Sequence, residues 1–307
     1  MLTERFSWPE QVTVVDVTAR DGLQDADQII SIKDKLAFIS ALLDAGVRHI
    51  EATSFMHPKW IPQLADADTV AAHLPQVSGV VYSALIPNMR GYERARAAGI
   101  GEVTLVISAS ESHNRANLNR SVDESLAQLA EVATRARTEG VSVRGAIATA
   151  FGCPFEGKIA PSAVLKIVRA YAEMAVNQVS LADTIGVGNP RQVYELFLQA
   201  RAELPSTTTL SAHFHDRAGY GLANVFAALQ AGVATFDAAV GGLGGCPYAP
   251  GAPGNLATET LVEYLETMGW HTGIALPGLE QARTQLMAAL ADGEPVASSH
   301  SIRKTGA

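Results

Sequence analysis

Leu42-Leu-Asp-Ala-Gly-Val-Arg-His-Ile-Glu51 reads as the last turn of an apolar helix, a glycine stop, and a short run of strand-forming residues ending on a carboxylate. The glycine suits the left-handed position that closes a helix, and the run after it suits a buried parallel strand. The same phrase returns as Arg96-Ala-Ala-Gly-Ile-Gly-Glu-Val-Thr-Leu-Val106, as Glu139-Gly-Val-Ser-Val-Arg-Gly-Ala-Ile147 and as Gln230-Ala-Gly-Val-Ala-Thr-Phe-Asp-Ala-Ala-Val240. A chain that repeats helix, glycine and strand is building βα units.

Outward from Gly46, Leu36, Ile39 and Leu43 fall at helical spacing, with Ser31 as a cap and Gly46 as the stop. The same reading along the chain predicts strands at 12–17, 47–52, 79–84, 102–107, 141–147, 177–181, 209–214 and 235–240. Helices are expected between and after them, at about 33–45, 66–74, 89–98, 121–139, 161–175, 190–203, 219–231 and 258–268. Strict alternation of this kind predicts an α/β fold, a (β/α)₈ TIM barrel. An open doubly wound sheet is disfavoured, because no dinucleotide-type glycine fingerprint follows the first strand. The expected organisation is one catalytic domain over 1–307, with the barrel at about 10–275. A C-terminal helical extension is expected over 276–307, its helix at about 277–291, then a tail.

Composition sets limits on function. Hydrophobic residues make up 48% of the 307, enough for a large core, and a formal net charge of −8 argues against general nucleic-acid binding. The two cysteines, Cys153 and Cys246, lie far apart in different motifs, so no disulfide framework is expected, which suits a reducing cytoplasm. No signal-peptide core and no run near the ~18 apolar residues of a membrane span is expected. The expectation is therefore a cytoplasmic protein without a membrane partner.

The barrel reading carries a test, since barrel active sites gather at the C-terminal ends of strands. Arg20 and Asp21 follow strand one, Glu51 closes strand two and Asp183 follows strand six. His213-Phe-His215 closes strand seven, and Cys246 and Asn255 lie in the glycine-rich stretch after strand eight. Two histidines at i, i+2 on a strand point the same way and can share one cation. Asp21, His213, His215 and Asn255 are the candidate ligands, a mixed oxygen and nitrogen set that suits Mg²⁺ or Mn²⁺ better than a structural zinc. A single strand histidine is more often a satisfied core residue, but a paired one with Asp21 on the same face is not. Arg20 would stabilise an enolate or oxyanion. Glu51 would orient Arg20 or a metal-bound group. Asp183 would either cap the helix that follows or assist proton removal. Cys246, on a pliable loop, is the candidate proton donor, whereas Cys153 is assigned to packing.

Several motifs together resemble the DRE-TIM metallolyase superfamily and, within it, the 3-hydroxy-3-methylglutaryl-CoA lyases. The matching segments are Ala19-Arg-Asp-Gly-Leu-Gln24, Ile50-Glu-Ala-Thr-Ser-Phe55 with Pro58-Lys-Trp60, Gly152-Cys-Pro-Phe-Glu-Gly-Lys158, Ala182-Asp-Thr-Ile-Gly186, His213-Phe-His-Asp216 and the stretch from Gly241 to Glu259. The resemblance implies metal ligation by Asp21, His213, His215 and Asn255. It implies catalytic roles for Arg20, Asp183 and Cys246 and, less directly, Glu51 and Glu259, with His213 assisting Asp183. It further implies a CoA-ester substrate, a divalent metal (Mg²⁺ or Mn²⁺), cleavage to acetyl-CoA and acetoacetate in leucine breakdown, and a homodimer or higher homo-oligomer. Thr18-Ala19 stands where the family usually has Gly-Pro. Ser112-His-Asn-Arg-Ala-Asn-Leu-Asn-Arg120 matches loosely, with Arg115 and Asn117 as the residues to hold the CoA end. Three other readings stay open: a lyase for another branched 3-hydroxyacyl-CoA, a condensing acyltransferase of the isopropylmalate-synthase type, and a non-catalytic metal- or CoA-binding protein.

Overall fold

A computed structural model describes residues 8–245 and 254–296. Eight strands close into one parallel barrel in chain order. They are β1 (Thr13–Asp16), β2 (His49–Ser54), β3 (Val81–Ile86) and β4 (Glu102–Ser108). β5 (Ser142–Ala148), β6 (Gln178–Asp183), β7 (Thr209–Phe214) and β8 (Thr235–Ala238) complete it. Closure is the pairing of β8 with β1, Thr13 opposite Thr235 through Asp16 opposite Ala238. Each of the eight strands overlaps a run expected from the sequence.

Helices α1 (Ile32–Asp44), α2 (Ala67–Ala72) and α3 (Met89–Ala97) cover the first units. Two helices, α4 (Glu111–Leu118) and α5 (Val122–Thr138), stand between β4 and β5 where one was expected. The extra helix has no apolar periodicity to betray it. It is set instead by its ends: the Ser110 hydroxyl accepts from the His113 amide at 3.1 Å, and Asn119 turns left-handed at φ 55°. α6 (Pro161–Glu173), α7 (Pro190–Glu203), α8 (Gly221–Gln230) and α9 (Thr258–Thr267) complete the ring.

Ser31 caps α1 by accepting from the Asp34 amide, and Gly46 ends it at φ 100°, where an added Cβ would sit 2.2 Å from the Gly273 carbonyl oxygen. That carbonyl belongs to the lead-in to α10 (Leu276–Ala291), the helix expected in the C-terminal extension. α10 buries Leu279, Ala282, Leu286 and Leu290 and packs on α1 and α9. Just beyond it, Glu294–Pro295 pairs antiparallel with Gln28–Ile29. No helix among the described residues is long and apolar enough to cross a membrane.

The inside of the barrel is unusually polar. Arg144 on β5, 2% exposed, donates to Ser180 on β6, Ser211 on β7 and Asp237 on β8 at 3.1, 3.1 and 2.6 Å. One guanidinium thus ties four consecutive strands where most barrels pack branched apolar side chains. An ionic network there stabilises little net, which points to use rather than packing.

Candidate active site and metal centre

The chain leaves β1 through a wide helical turn, Thr18–Gly22, in which the Val17 carbonyl accepts from the amides of Arg20, Asp21 and Gly22. Wide turns of this kind re-aim side chains and recur at functional sites. Asp16, buried at the end of β1, accepts from the Thr18 amide at 3.0 Å and the Thr258 hydroxyl at 2.9 Å. Burial pushes its carboxyl up to about 6.

This turn aims Asp21 at His213 on β7 and at His215 just past its end. Asp21 Oδ2 lies 3.9 Å from His213 Nε2 and 4.0 Å from His215 Nε2, and the ligand atoms of all three residues fall within 4.8 Å of one another. Burial would raise the Asp21 carboxyl, but Arg20 and then the two histidines outweigh it and hold it at about 2. Asn255 reaches the same point from the far side: its amide donates to Asp21 Oδ2 at 2.7 Å and to the Leu243 carbonyl at 2.8 Å. Among the described residues its Oδ1 is buried with no hydrogen-bond partner. A buried carbonyl oxygen without a donor is costly. A cation between Asp21, His213 and His215 would answer it, so the donor set fits a divalent metal. The charge agrees: two guanidiniums, Arg20 and Arg144, face three carboxylates, Asp21, Glu51 and Asp237, around one cavity of about 140 Å³. With neutral histidines, one negative charge is left in excess.

Arg20 spans the site. Its Nη1 donates to Asp21 and its Nε to Glu51 Oε2 at 2.5 Å. Burial would lower its pKa, but Asp21 and Glu51 outweigh that and raise it, so it stays charged. Glu51 lies inside β2 rather than at its end, just before a bulge at Ala52, and among the described residues its Oε1 has no hydrogen-bond partner. Of the two groups it was expected to orient, Arg20 or a metal-bound group, Arg20 is the one it touches in this structure.

His213 has a second partner that sequence reading did not single out: its Nδ1 lies 3.2 Å from Asp237 Oδ2. A carboxylate behind a ligating histidine fixes the ring's tautomer and leaves Nε2 free for the metal. Burial would lower the His213 pKa, yet the Asp237 hydrogen bond and the Asp21 charge raise it. Arg144 holds Asp237 in turn. The signal for both was present as one charged residue in each of two otherwise strand-forming runs, 142–148 and 235–238. His113 on the unforeseen α4 also lines the cavity. It sits 2.6 Å from the Ser108 hydroxyl, and burial pushes it down to about 4.

Other expected residues stand further off. Asp183 is fully buried, and its oxygens accept from the Val187 and Gly188 amides at 3.0 and 2.8 Å. Asn189, not Asp183, caps α7. Ala182 and Thr184 line the cavity, but Asp183 does not. Burial still raises its pKa against those two amides. Glu259, in the first turn of α9, accepts from the Gly241 amide at 3.1 and 3.0 Å and anchors the start of the glycine stretch. Asn117 lines the cavity, whereas Arg115 on the same helix is exposed and does not. Cys246 lies outside the described residues; its neighbour Gly245 lines the cavity. Gly244, at φ 107°, lies where a Cβ would come 2.5 Å from Asn255 Nδ2, so only glycine lets this strand of chain pass the ligands. Cys153 is buried, its thiol 3.0 Å from the Ser110 hydroxyl in the turn that pairs Cys153 with Gly157.

The model of the HMGL-like family matches residues 11–285. The chain belongs to the HMGL-like family. It is 44% identical to the hydroxymethylglutaryl-CoA lyase of Pseudomonas mevalonii, over 92% of this chain and 93% of that one. The HMG-CoA lyase structure from Bacillus subtilis superposes with a TM-score of 0.89 at 41% identity, covering 97% of this chain and 99% of that one. An HMG-CoA lyase from Acinetobacter baumannii, solved in complex with coenzyme A and 3-methylmalate, gives 0.87 at 39% identity and covers 97% of each chain. The resemblance drawn from the motifs and the barrel drawn from the periodicity both stand.

Proposed function

We propose that this chain is a metal-dependent carbon–carbon lyase that cleaves 3-hydroxy-3-methylglutaryl-CoA to acetyl-CoA and acetoacetate. The observation that carries the reading is the unpartnered Oδ1 of Asn255 beside Asp21, His213 and His215, with Arg20 at the same cavity. A divalent ion, Mg²⁺ or Mn²⁺ by the donor chemistry, would be held by these four residues and would supply Lewis acidity toward the substrate hydroxyl.

The residues do the rest. Asp237 and Arg144 fix the face His213 presents to the ligand cluster. The substrate's tertiary hydroxyl gives up its proton, and that oxygen's electron pair becomes the new ketone of acetoacetate. The carbon–carbon pair moves to the carbon beside the thioester as an enolate. Arg20, kept charged and oriented by Glu51, stabilises that negative charge. Asp183 is the proposed proton acceptor: each of its oxygens accepts one amide hydrogen bond and keeps a lone pair for the proton, and the role requires the carboxylate to be brought to the cavity wall between Ala182 and Thr184. Cys246 is the proposed donor that protonates the enolate, next to cavity-lining Gly245. Asn117, with Arg115 beside it, is proposed at the CoA end of the acyl cavity, and Glu259 as the anchor of the cysteine stretch. We further propose one cytoplasmic catalytic domain, working in leucine breakdown and assembled as a homodimer or higher homo-oligomer.

A panel of CoA esters, assayed for acetyl-CoA release and, in reverse, for condensation of acetyl-CoA with 2-oxo acids, tests this reading. The 3-hydroxy-3-methylglutaryl ester should be cleaved fastest. Faster cleavage of a longer branched ester, or net condensation, would overturn the substrate or the direction.

A further inference from the structure

We infer that the barrel interior beneath the metal centre holds bound water between Glu51 and Arg144, and that Ser83 and Thr104, which share this water, are positioning residues for the reaction. Four side-chain atoms there are buried with no hydrogen-bond partner among the described residues: Glu51 Oε1, Ser83 Oγ, Thr104 Oγ1 and Arg144 Nε. Their residues are 1, 0, 3 and 2% exposed. They stand on four consecutive strands, β2 to β5, with Glu51 opposite Ser83 and Thr104 opposite Arg144 in the register. Glu51, Thr104 and Arg144 line the inner cavity, and so does Leu85, two residues beyond Ser83 on the same face of β3. One orphaned polar atom is already costly. Four on neighbouring strands, facing one space, point to a ligand that they share.

Chemistry identifies the occupant. Arg144 Nε can only donate and the Glu51 carboxylate can only accept, while the two hydroxyls do either. An anion would meet the charge of Glu51, and a cation that of Arg144. A small neutral molecule that accepts from one and donates to the other suits both, and water does so. A buried water needs on the order of 10–15 Å³ and two to four polar partners; the cavity of about 140 Å³ and the four atoms supply both. The neighbouring atoms of the two charged groups are already committed. Arg144 Nη2 donates to Ser180, Ser211 and Asp237, and Glu51 Oε2 accepts from Arg20 Nε at 2.5 Å. Water on Oε1 therefore fixes the plane of the carboxylate that orients Arg20, and ties it through Arg144 and Asp237 to His213. The guanidinium that faces the enolate and the imidazole that faces the metal are set by one network. Thr53 provides a control on β2: its hydroxyl is also buried without a partner among the described residues, but it lies opposite Ala84, on the face turned away from Ser83, Leu85 and the cavity.

The positioning role rests on the reaction proposed above; the water does not, and the test separates them. Full-length, Mg²⁺-supplemented wild type is compared with Thr104→Val, Thr104→Ser, Ser83→Ala and Thr53→Val. The measurements are crystallography at a resolution that shows ordered water, urea unfolding, and steady-state cleavage of 3-hydroxy-3-methylglutaryl-CoA. Wild type should show water within about 3.2 Å of both Thr104 Oγ1 and Glu51 Oε1. Thr104→Val should lower the urea midpoint, because it takes one partner from a hydrated ionic network. It should also lower kcat on the order of tenfold with KM little changed, the scale of one hydrogen bond to a charged group. Ser83→Ala should move both quantities the same way, Thr104→Ser should restore them, and Thr53→Val should lower neither. A dry site in wild type, or a Thr104→Val protein at least as stable as wild type, would overturn the water, since deleting an unpartnered hydroxyl relieves a penalty. A loss confined to KM, or no restoration by serine, would overturn the positioning role. A wild type that does not cleave the ester, with the water in place and the midpoint lowered in Thr104→Val, would refute the reaction and support the water site.

Discussion

Asp237→Asn isolates what the barrel interior contributes to the metal centre. Asp237 is 6% exposed and accepts from Arg144 at 2.6 Å through one oxygen while its other faces His213 Nδ1 at 3.2 Å. The substitution keeps the shape and removes the charge. Arg144 is then left buried without its ion partner, and breaking a buried pair from one side costs about 3–5 kcal/mol. His213 loses the carboxylate that fixes its tautomer, which lowers metal affinity roughly 10–100-fold where such partners have been removed. The two effects separate in a double variant, Arg144→Met/Asp237→Asn. Removing both charges should restore most of the stability, because replacing a buried pair by groups of similar volume is nearly neutral. Metal affinity should stay low. Burial would raise the Asp237 pKa, but Arg144 and His213 outweigh it and hold it below the ordinary 3.8. Asp237 therefore adds stability above that value and loses it as pH falls, so the single variant should show a shallower acid limb. Urea unfolding of metal-free protein and competition with a chelating dye read out the two quantities. Wild-type metal affinity in Asp237→Asn, or recovery of affinity in the double variant, would refute the argument.

Three further outcomes follow from the same geometry. Cys246→Ala should lower turnover roughly 10²–10⁴-fold, the scale of a positioned acid, while Cys153→Ala, whose thiol is buried against Ser110, keeps most activity; equal rates in the two variants would remove the thiol from the reaction. Asp183→Asn keeps an acceptor for one of the Val187 and Gly188 N–H groups and sets an NH2 donor against the other, so it should cost about 1–3 kcal/mol of stability. If the carboxyl is also the proton acceptor, kcat falls at least a hundredfold (on the order of), and a loss under tenfold would leave it only the turn. Asp16 is protonated more readily in the folded state, its pKa lifted from 3.8 to about 6 by burial. Its contribution is thus present below the unfolded value and lost as pH rises through about 6. Asp16→Asn should abolish that decline and leave the protein at least as stable as wild type at neutral pH, by up to about 2–3 kcal/mol; a variant less stable at pH 7 would contradict this.

The barrel was legible because every unit writes its own stop and strand, as Gly46 and the run to Glu51 do. Asp21, His213 and His215 were legible because strand ends converge on one face whatever the loops do. Asp237 and Arg144 were not, since nothing local tells a charged strand residue facing the barrel axis from one facing solvent; the register decides, and register is a property of all eight strands. α4 escaped for the opposite reason: its amphipathic face is short and polar, and only its cap and its left-handed stop mark it. Asp183 shows the limit of reading by position. It sits at a strand end as expected, but which way its oxygens point depends on the turn that follows.

The central claim is that Asp21, His213, His215 and Asn255 hold a divalent ion without which the carbon–carbon bond is not cleaved. The direct measurement is acetoacetate released from 3-hydroxy-3-methylglutaryl-CoA by chelator-stripped protein, before and after Mg²⁺ or Mn²⁺ is restored, with His215→Ala alongside. The account predicts no detectable cleavage without metal, recovery on adding it, and a His215→Ala variant that recovers only at far higher metal concentration. Full activity in stripped protein, or a variant with the wild-type metal requirement, would contradict it.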